Sequence, residues 1–181
     1  MTNLLISLLK FPEPITRVGR EIKTLEPFYL EGDAYHYERV LRDGKPAWDL
    51  AVVASPRGAV LFALDLAYTP DPQDKVFKFG PPRDVSFTWP VPGYLRAAKP
   101  LLRVDADAVT PMEHERKGGR VSLRTRGGAA NVFVLSSDRT GAEQLEARRR
   151  ELPAFEDSFD FDPARRAADL ETLRAILGAK K

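Results

Sequence analysis

The chain predicts a mainly β fold: an antiparallel β-sandwich with helices at its N-terminal and C-terminal ends. Three observations carry that expectation. Between residues 34 and 137, short apolar segments, several of them alternating with a period of two, are separated by turn signals rich in Gly, Pro, Asp and Ser. Helical periodicity is confined to residues 1–30 and 140–178. Strand and helix never alternate as βαβ units, which argues against a doubly wound parallel sheet. The 181 residues read as a single sandwich domain, 1–181, long enough to bury a well-formed core.

The centre of the expected sheet is Trp48–Tyr68, WDLAVVASPRGAVLFALDLAY. Two apolar runs, 50–54 and 59–67, flank Ser55-Pro56-Arg57-Gly58. Proline second and glycine fourth suit a type I turn.

Taken in order, residues 2–10 form a short helix in which Leu4, Leu5, Ile6, Leu8 and Leu9 leave no polar face, so it wants cover on more than one side. It is too short to cross a bilayer, which takes ~20 residues. It also lacks the early positive charge and cleavage site of a signal peptide. No membrane segment is expected, and the compartment stays open. From Pro14 a second helix places Ile15, Val18, Ile22 and Leu25 on one face against a sheet, with Arg17, Arg20, Glu21 and Lys23 in water, and Pro27 ends it.

Residues 34–42 then read as a strand, followed by a turn at Asp43-Gly44. The proline-bearing TPDPQD, residues 69–74, reads as a polar break, and KVFKF as a short strand. In DVSFTW, Val85, Phe87 and Trp89 alternate with polar residues as in a half-buried strand. The prolines of PVPGYL exclude a central strand. KPLLRVD, AVTPMEHER, RVSLRTR and ANVFVLSS complete the series, with Gly118-Gly119 and Gly127-Gly128 read as hairpin turns. Thr140 and Glu143 have capping-box spacing and open a helix that Pro153 stops. Asp162-Pro163 opens a last helix, with Ala167, Leu170, Leu173 and Leu177 on one stripe.

Composition removes several function classes. Basic and acidic residues number 28 and 26, a net charge of +2, and cysteine is absent. The near balance gives no field for nucleic acid. The missing cysteine removes disulfides, thiolate metal sites and cysteine nucleophiles. No G-x-S-x-G elbow occurs, and both Gly-Gly pairs sit between strands rather than before a helix, so neither is a phosphate loop. His36 and His114, each in an expected strand, lack neighbours that converge as metal ligands. No metal and no cofactor is expected, and no catalytic residue is assigned.

The remaining candidates are carboxylates, cations and aromatics. Glu156, Asp157, Asp160 and Asp162 read as a solvated or capping run. Asp65 interrupts an apolar strand and shares its face with Leu61, Ala63 and Ala67, which marks either a polar site or a face turned to water or a partner. Arg116, Lys117, Arg120, Arg124 and Arg126 read as a solvated strand edge. Trp48, Trp89 and Tyr94 lie at strand ends or in the proline-rich loop, where a ring could stack on a sugar. The competing reading puts both tryptophans in the inter-sheet core.

The order of segments is familiar. A helix ending in REIKTLEPFYLEGD leads to YHYERVLRDG, to AVLFALDLAY, and through DVSFTWPVPGYLRAAKPLLRVDAD to GGRVSLRTRGGAANVFVLSSD. Over residues 14–138 this pattern is similar to the C-terminal accessory β-sandwich that follows the (β/α)-barrel in several glycoside hydrolase families. The resemblance implies that catalytic carboxylates belong to a barrel, while the sandwich braces it or contacts polysaccharide. A barrel needs ~250 residues of alternating strand and helix, which this chain lacks. Such a module would be non-catalytic by itself, and residues 2–10 would face a barrel or a partner protein. The alternatives are a small glycoside-acting hydrolase using Asp65 with a second carboxylate, and a protein-interaction scaffold.

Overall fold

The structure, a computed structural model, describes residues 12–73, 76–97 and 100–158, together with 167–168, 171–172 and 174–175. Its foundation is the hairpin of β2 (Lys45–Ser55) and β3 (Gly58–Asp65), paired from Ser55↔Gly58 to Trp48↔Asp65. Neither Pro56 nor Arg57 has positive φ, as a type I turn requires, and the Arg57 amide donates to Ser55 Oγ at 3.2 Å. Gly58 is obligatory here. Its φ is +150°, and a Cβ would lie 2.3 Å from the Leu135 carbonyl oxygen.

Before the hairpin comes β1 (Asp33–Arg42), joined to β2 by Asp43 and Gly44 at φ 51° and 74°, the doubly positive geometry of a type I′ turn. On the other side, β11 (Ala130–Ser136), β7 (Leu101–Val104) and β8 (Val109–Met112) extend the sheet in the order β1-β2-β3-β11-β7-β8, antiparallel throughout. A second sheet has the order β6-β10-β9, from β6 (Arg83–Pro90), β9 (Glu115–Lys117) and β10 (Arg120–Gly127). Among the described residues, the short strands β4 (Tyr68–Asp71) and β5 (Val76–Phe79) pair only with each other.

Alternation along the strands divides the apolar residues between two cores. Leu50, Val52, Leu61, Ala63, Leu101, Phe133 and Leu135 face the small sheet and meet Phe87, Trp89, Val121 and Leu123. Val60, Leu102, Val104 and Val134 face the other way, under α1 (Pro12–Leu30) and α2 (Gly141–Ser158), where Leu25, Phe28 and Leu145 cover them. Each buried side chain of this size contributes about 1.5–3 kcal/mol. The fold is therefore mainly β and sandwich-like, with one N-terminal and one C-terminal helix on the outer face of its larger sheet.

Several expectations need correction. Helix α1 does not stop at Pro27, which lies inside it. Proline removes the amide that would bond the carbonyl four residues back, on Lys23. The Arg148 guanidinium of α2 donates Nε to that carbonyl at 2.9 Å and so restores the bond. The buried face of α1 is also rotated from the expected one. Thr24, Leu25 and Phe28 are buried, whereas Val18 and Ile22 are each 53% exposed.

Helix α2 continues past Leu152 and Pro153 to Ser158. At its start the Gln144 side chain donates to Asp138 Oδ2 and Thr140 Oγ1, both at 2.9 Å, where a Thr140–Glu143 capping box was expected. The break expected at 69–74 is partly strand, because Pro70 in a two-stranded sheet needs no second partner. Gly127-Gly128 is not a hairpin turn: β10 belongs to the small sheet and β11 to the large one, so this segment crosses between them. His114 falls between β8 and β9 rather than in a strand. Residues 2–10 lie outside the described residues. So do Asp160, Asp162 and most of the last helix, of which Ala167 is helical and exposed.

Candidate functional site

Asp65 sits where β3 ends, on the same side as Leu61 and Ala63, as alternation requires. That side is not open to water: Asp65 is 2% exposed. Its carboxylate accepts both guanidinium nitrogens of Arg83 from β6, Nη2 to Oδ1 at 3.0 Å and Nη1 to Oδ2. Oδ1 also accepts the Ala67 amide at 2.8 Å. The Arg83 guanidinium lies 5.1 Å from the centre of the Trp48 ring. The charge is thus held by a two-pronged ion pair that ties the two sheets together. This corrects the reading of Asp65 as the mark of a face turned to water or a partner. A carboxylate so buried and paired is shut away from any substrate.

The two tryptophans are core. Trp48 and Trp89 are 6% and 1% exposed, and Trp48 stands edge-on to Phe87 at 5.0 Å. Neither presents a ring face to a sugar, which corrects their candidacy as stacking platforms. The Trp89 indole N–H is buried without a hydrogen-bond partner among the described residues. Tyr94 is exposed, and its hydroxyl donates to the Ser55 carbonyl at 2.7 Å. Burial pushes that phenol above its ordinary value.

An aromatic cluster forms elsewhere, from residues not singled out in the sequence. In the β4–β5 hairpin, Tyr68 is paired with Phe79 and Pro70 with Phe77, so all four share one face. The Tyr68 ring centre is 4.8 Å from Phe77 and 5.7 Å from Phe79. The three rings nevertheless stay 41%, 63% and 38% exposed, in the order Tyr68, Phe77, Phe79. Lys78 forms an ion pair with Asp71, keeping charge on the hairpin. The signal in the sequence was the alternation of Phe77 and Phe79 in KVFKF, with Tyr68 on the far side of the prolines.

Two larger concavities carry charged groups. One of about 640 Å³ lies between the end of α1, the β2–β3 turn and the start of α2. Most of its charged groups already have partners. Arg57 pairs with Glu31 at 2.9 Å, Arg148 with Glu26 at 2.6 Å, and Asp138 accepts the Thr140 amide, which draws its carboxyl below the usual range. The other, of about 540 Å³, lies on the small sheet, lined by Ser86, Thr88, Ser122, Arg124, Glu113 and His114. Thr88 and Ser122 are hydrogen-bonded to each other there at 2.8 Å.

Among the described residues, no group of three or more His, Asp or Glu could hold a metal ion. Arg120, Arg124 and Arg126 are exposed on β10, which is the middle strand of the small sheet only where β9 pairs with Arg120–Ser122. Beyond Ser122 that side is an edge. No helix of the described residues is long and apolar enough to cross a membrane. No family model, curated protein or solved structure matches this chain.

Proposed function

We propose that this chain is a non-catalytic β-sandwich module that works with carbohydrate-active enzymes and contacts glycan through the aromatic face of its β4–β5 hairpin. The observation that carries the reading is the exposure of Tyr68, Phe77 and Phe79 together on one face. Rings held in this way offer large apolar area at small entropic cost, and the C–H face of a pyranose packs against such area. The resemblance in segment order to accessory sandwiches supports the same reading. The burial and pairing of Asp65 weigh against the hydrolase alternative, since a glycosidase needs two accessible carboxylates.

The test is retention of the full chain on insoluble cellulose, chitin, xylan and starch, with reducing-sugar release assayed in parallel. The expected result is retention on at least one polymer with no sugar released. Failure to bind any of the four would overturn glycan contact, and release of sugar would overturn the non-catalytic assignment.

A further inference from the structure

The β9–β10 turn and the loop after β6 form a small depression of about 160 Å³, lined by Val91, Arg96, Arg116, Lys117, Arg120 and the Gly118-Gly119 turn. Four of the lining residues are cations and none is acidic. The turn itself is of the doubly positive type, with Gly118 and Gly119 at φ 58° and 75°, so its wall is bare backbone.

Arg116 is fixed in place, without a counter-ion among the described residues. It donates Nη1 to the carbonyls of Leu95 and Arg96 at 3.0 and 2.8 Å, and Nε to His114 Nε2 at 3.1 Å. Its Nη2 is buried and has no hydrogen-bond partner among the described residues. Burial without a carboxylate draws this guanidinium below its ordinary value, a cation the fold holds at a cost. Arg120 donates to the Thr88 carbonyl at 3.1 Å and comes no closer than 3.8 Å to Glu38, in what is a loose contact. Among the described residues, Arg96 and Lys117 make no ion pair.

We infer that this depression is a binding site for a single oxyanion group, a phosphate, sulfate or carboxylate. Arg96, Lys117 and Arg120 would close on the anion, with the fixed Arg116 charge behind them. The shape suits such a group: it is too small for a sugar ring stack, and its donors are forks and ammonium heads rather than hydroxyls. The inference does not rest on the glycan reading. An acidic group on a saccharide and a free inorganic anion are two sources of the same chemistry.

The experiment is a titration of ¹⁵N-labelled full-length protein, followed by amide shifts, at ionic strength held constant with sodium chloride. The probes are inorganic phosphate, inorganic sulfate and a glucuronate disaccharide. Saturable shifts confined to Arg96, Arg116, Lys117, Gly118, Gly119 and Arg120 are expected for at least one probe. The exposed pair Arg96→Gln with Lys117→Gln should weaken that binding about tenfold or more, as loss of charge-assisted bonds does. The urea midpoint of the double variant should stay within error of the parent, which separates loss of the site from loss of the fold. Binding by the inorganic anions alone identifies a free anion as the source, and stronger binding by the glucuronate identifies the acidic saccharide. Shifts that do not saturate for any probe, or equal affinity in the double variant, would overturn the site.

Discussion

The β2–β3 hairpin buries Leu50, Val52, Leu61 and Ala63 in the inter-sheet core, and Val60 beneath the helices, while the β4–β5 hairpin leaves Tyr68, Phe77 and Phe79 in water. Both hairpins are antiparallel and apolar, and both alternate. What differs is what lies on either side of them. The first has neighbouring strands on both edges and cover on both faces, so its apolar residues are the fold. Among the described residues the second pairs only with itself, and a two-stranded hairpin without cover contributes little to stability. Its aromatic face is therefore surface available to a ligand. Substitutions in the two hairpins and the elements packed on them should separate cleanly.

The largest effect is expected in the core. Trp89→Ala should cost about 3–5 kcal/mol in urea denaturation, whereas Phe77→Ala should stay within about 0.5 kcal/mol of the parent. Trp89→Phe should cost much less than the alanine, because it also removes an indole N–H that has no partner among the described residues. Comparable losses for Trp89→Ala and Phe77→Ala would erase the distinction between the hairpins.

Next comes the ion pair at the end of the central hairpin. Asp65→Ala should cost about 2–3 kcal/mol, somewhat below the ~3–5 kcal/mol of a fully buried pair, because the Arg83 side chain keeps 32% of its exposure. Replacing both partners, Asp65→Leu with Arg83→Met, should recover most of that loss in the same denaturation assay. A double variant as unstable as the single one would mean that the pair does more than balance charge.

A smaller effect belongs to the helix layer. Arg148→Ala should cost about 1–2 kcal/mol, since it leaves the Lys23 carbonyl opposite Pro27 without a donor. Adding Pro27→Ala should restore the intrahelical bond and reduce that cost, again read from urea midpoints.

The smallest effect is one of pH. Burial raises the Glu21 carboxyl above its ordinary value against the opposing Ala106 amide, and Asp105 and Asp107 add to the rise. A carboxyl raised in the folded state favours folding while protonated, and it becomes a liability as the pH climbs from its unfolded value through its folded one. Glu21→Gln should therefore raise Tm slightly at about pH 7, and the gain should vanish near pH ~3, more than a unit below the ordinary Glu value of ~4.3, where both side chains are neutral. A gain that persisted at the lower pH would point to packing instead of charge.

Much of the architecture was legible because strands announce themselves by alternation. Val85, Phe87 and Trp89 were placed on one face, and the Asp43-Gly44 and Gly118-Gly119 turns were read at their correct places. The failures have physical causes. Pro27 reads as a stop because a sequence cannot display the distant Arg148 that repairs the lost bond. The exposed Val18 and Ile22 were assigned to the sheet because periodicity gives a stripe but not its rotation about the helix. Asp65 was misread for a related reason: alternation gave its direction correctly, while its partner Arg83 lies on another strand of another sheet. The aromatic face was missed because Tyr68 meets Phe77 and Phe79 only across a turn whose prolines suggested a break.

The measurement that bears most directly on the central claim is a titration of a soluble oligosaccharide, cut from whichever polymer retains the chain, into uniformly ¹⁵N- and ¹³C-labelled protein. The aromatic ring signals of Tyr68, Phe77 and Phe79 should move in a saturable way, while the indole N–H signals of Trp48 and Trp89 stay in place. Movement of the indoles with the hairpin rings unchanged would contradict the account.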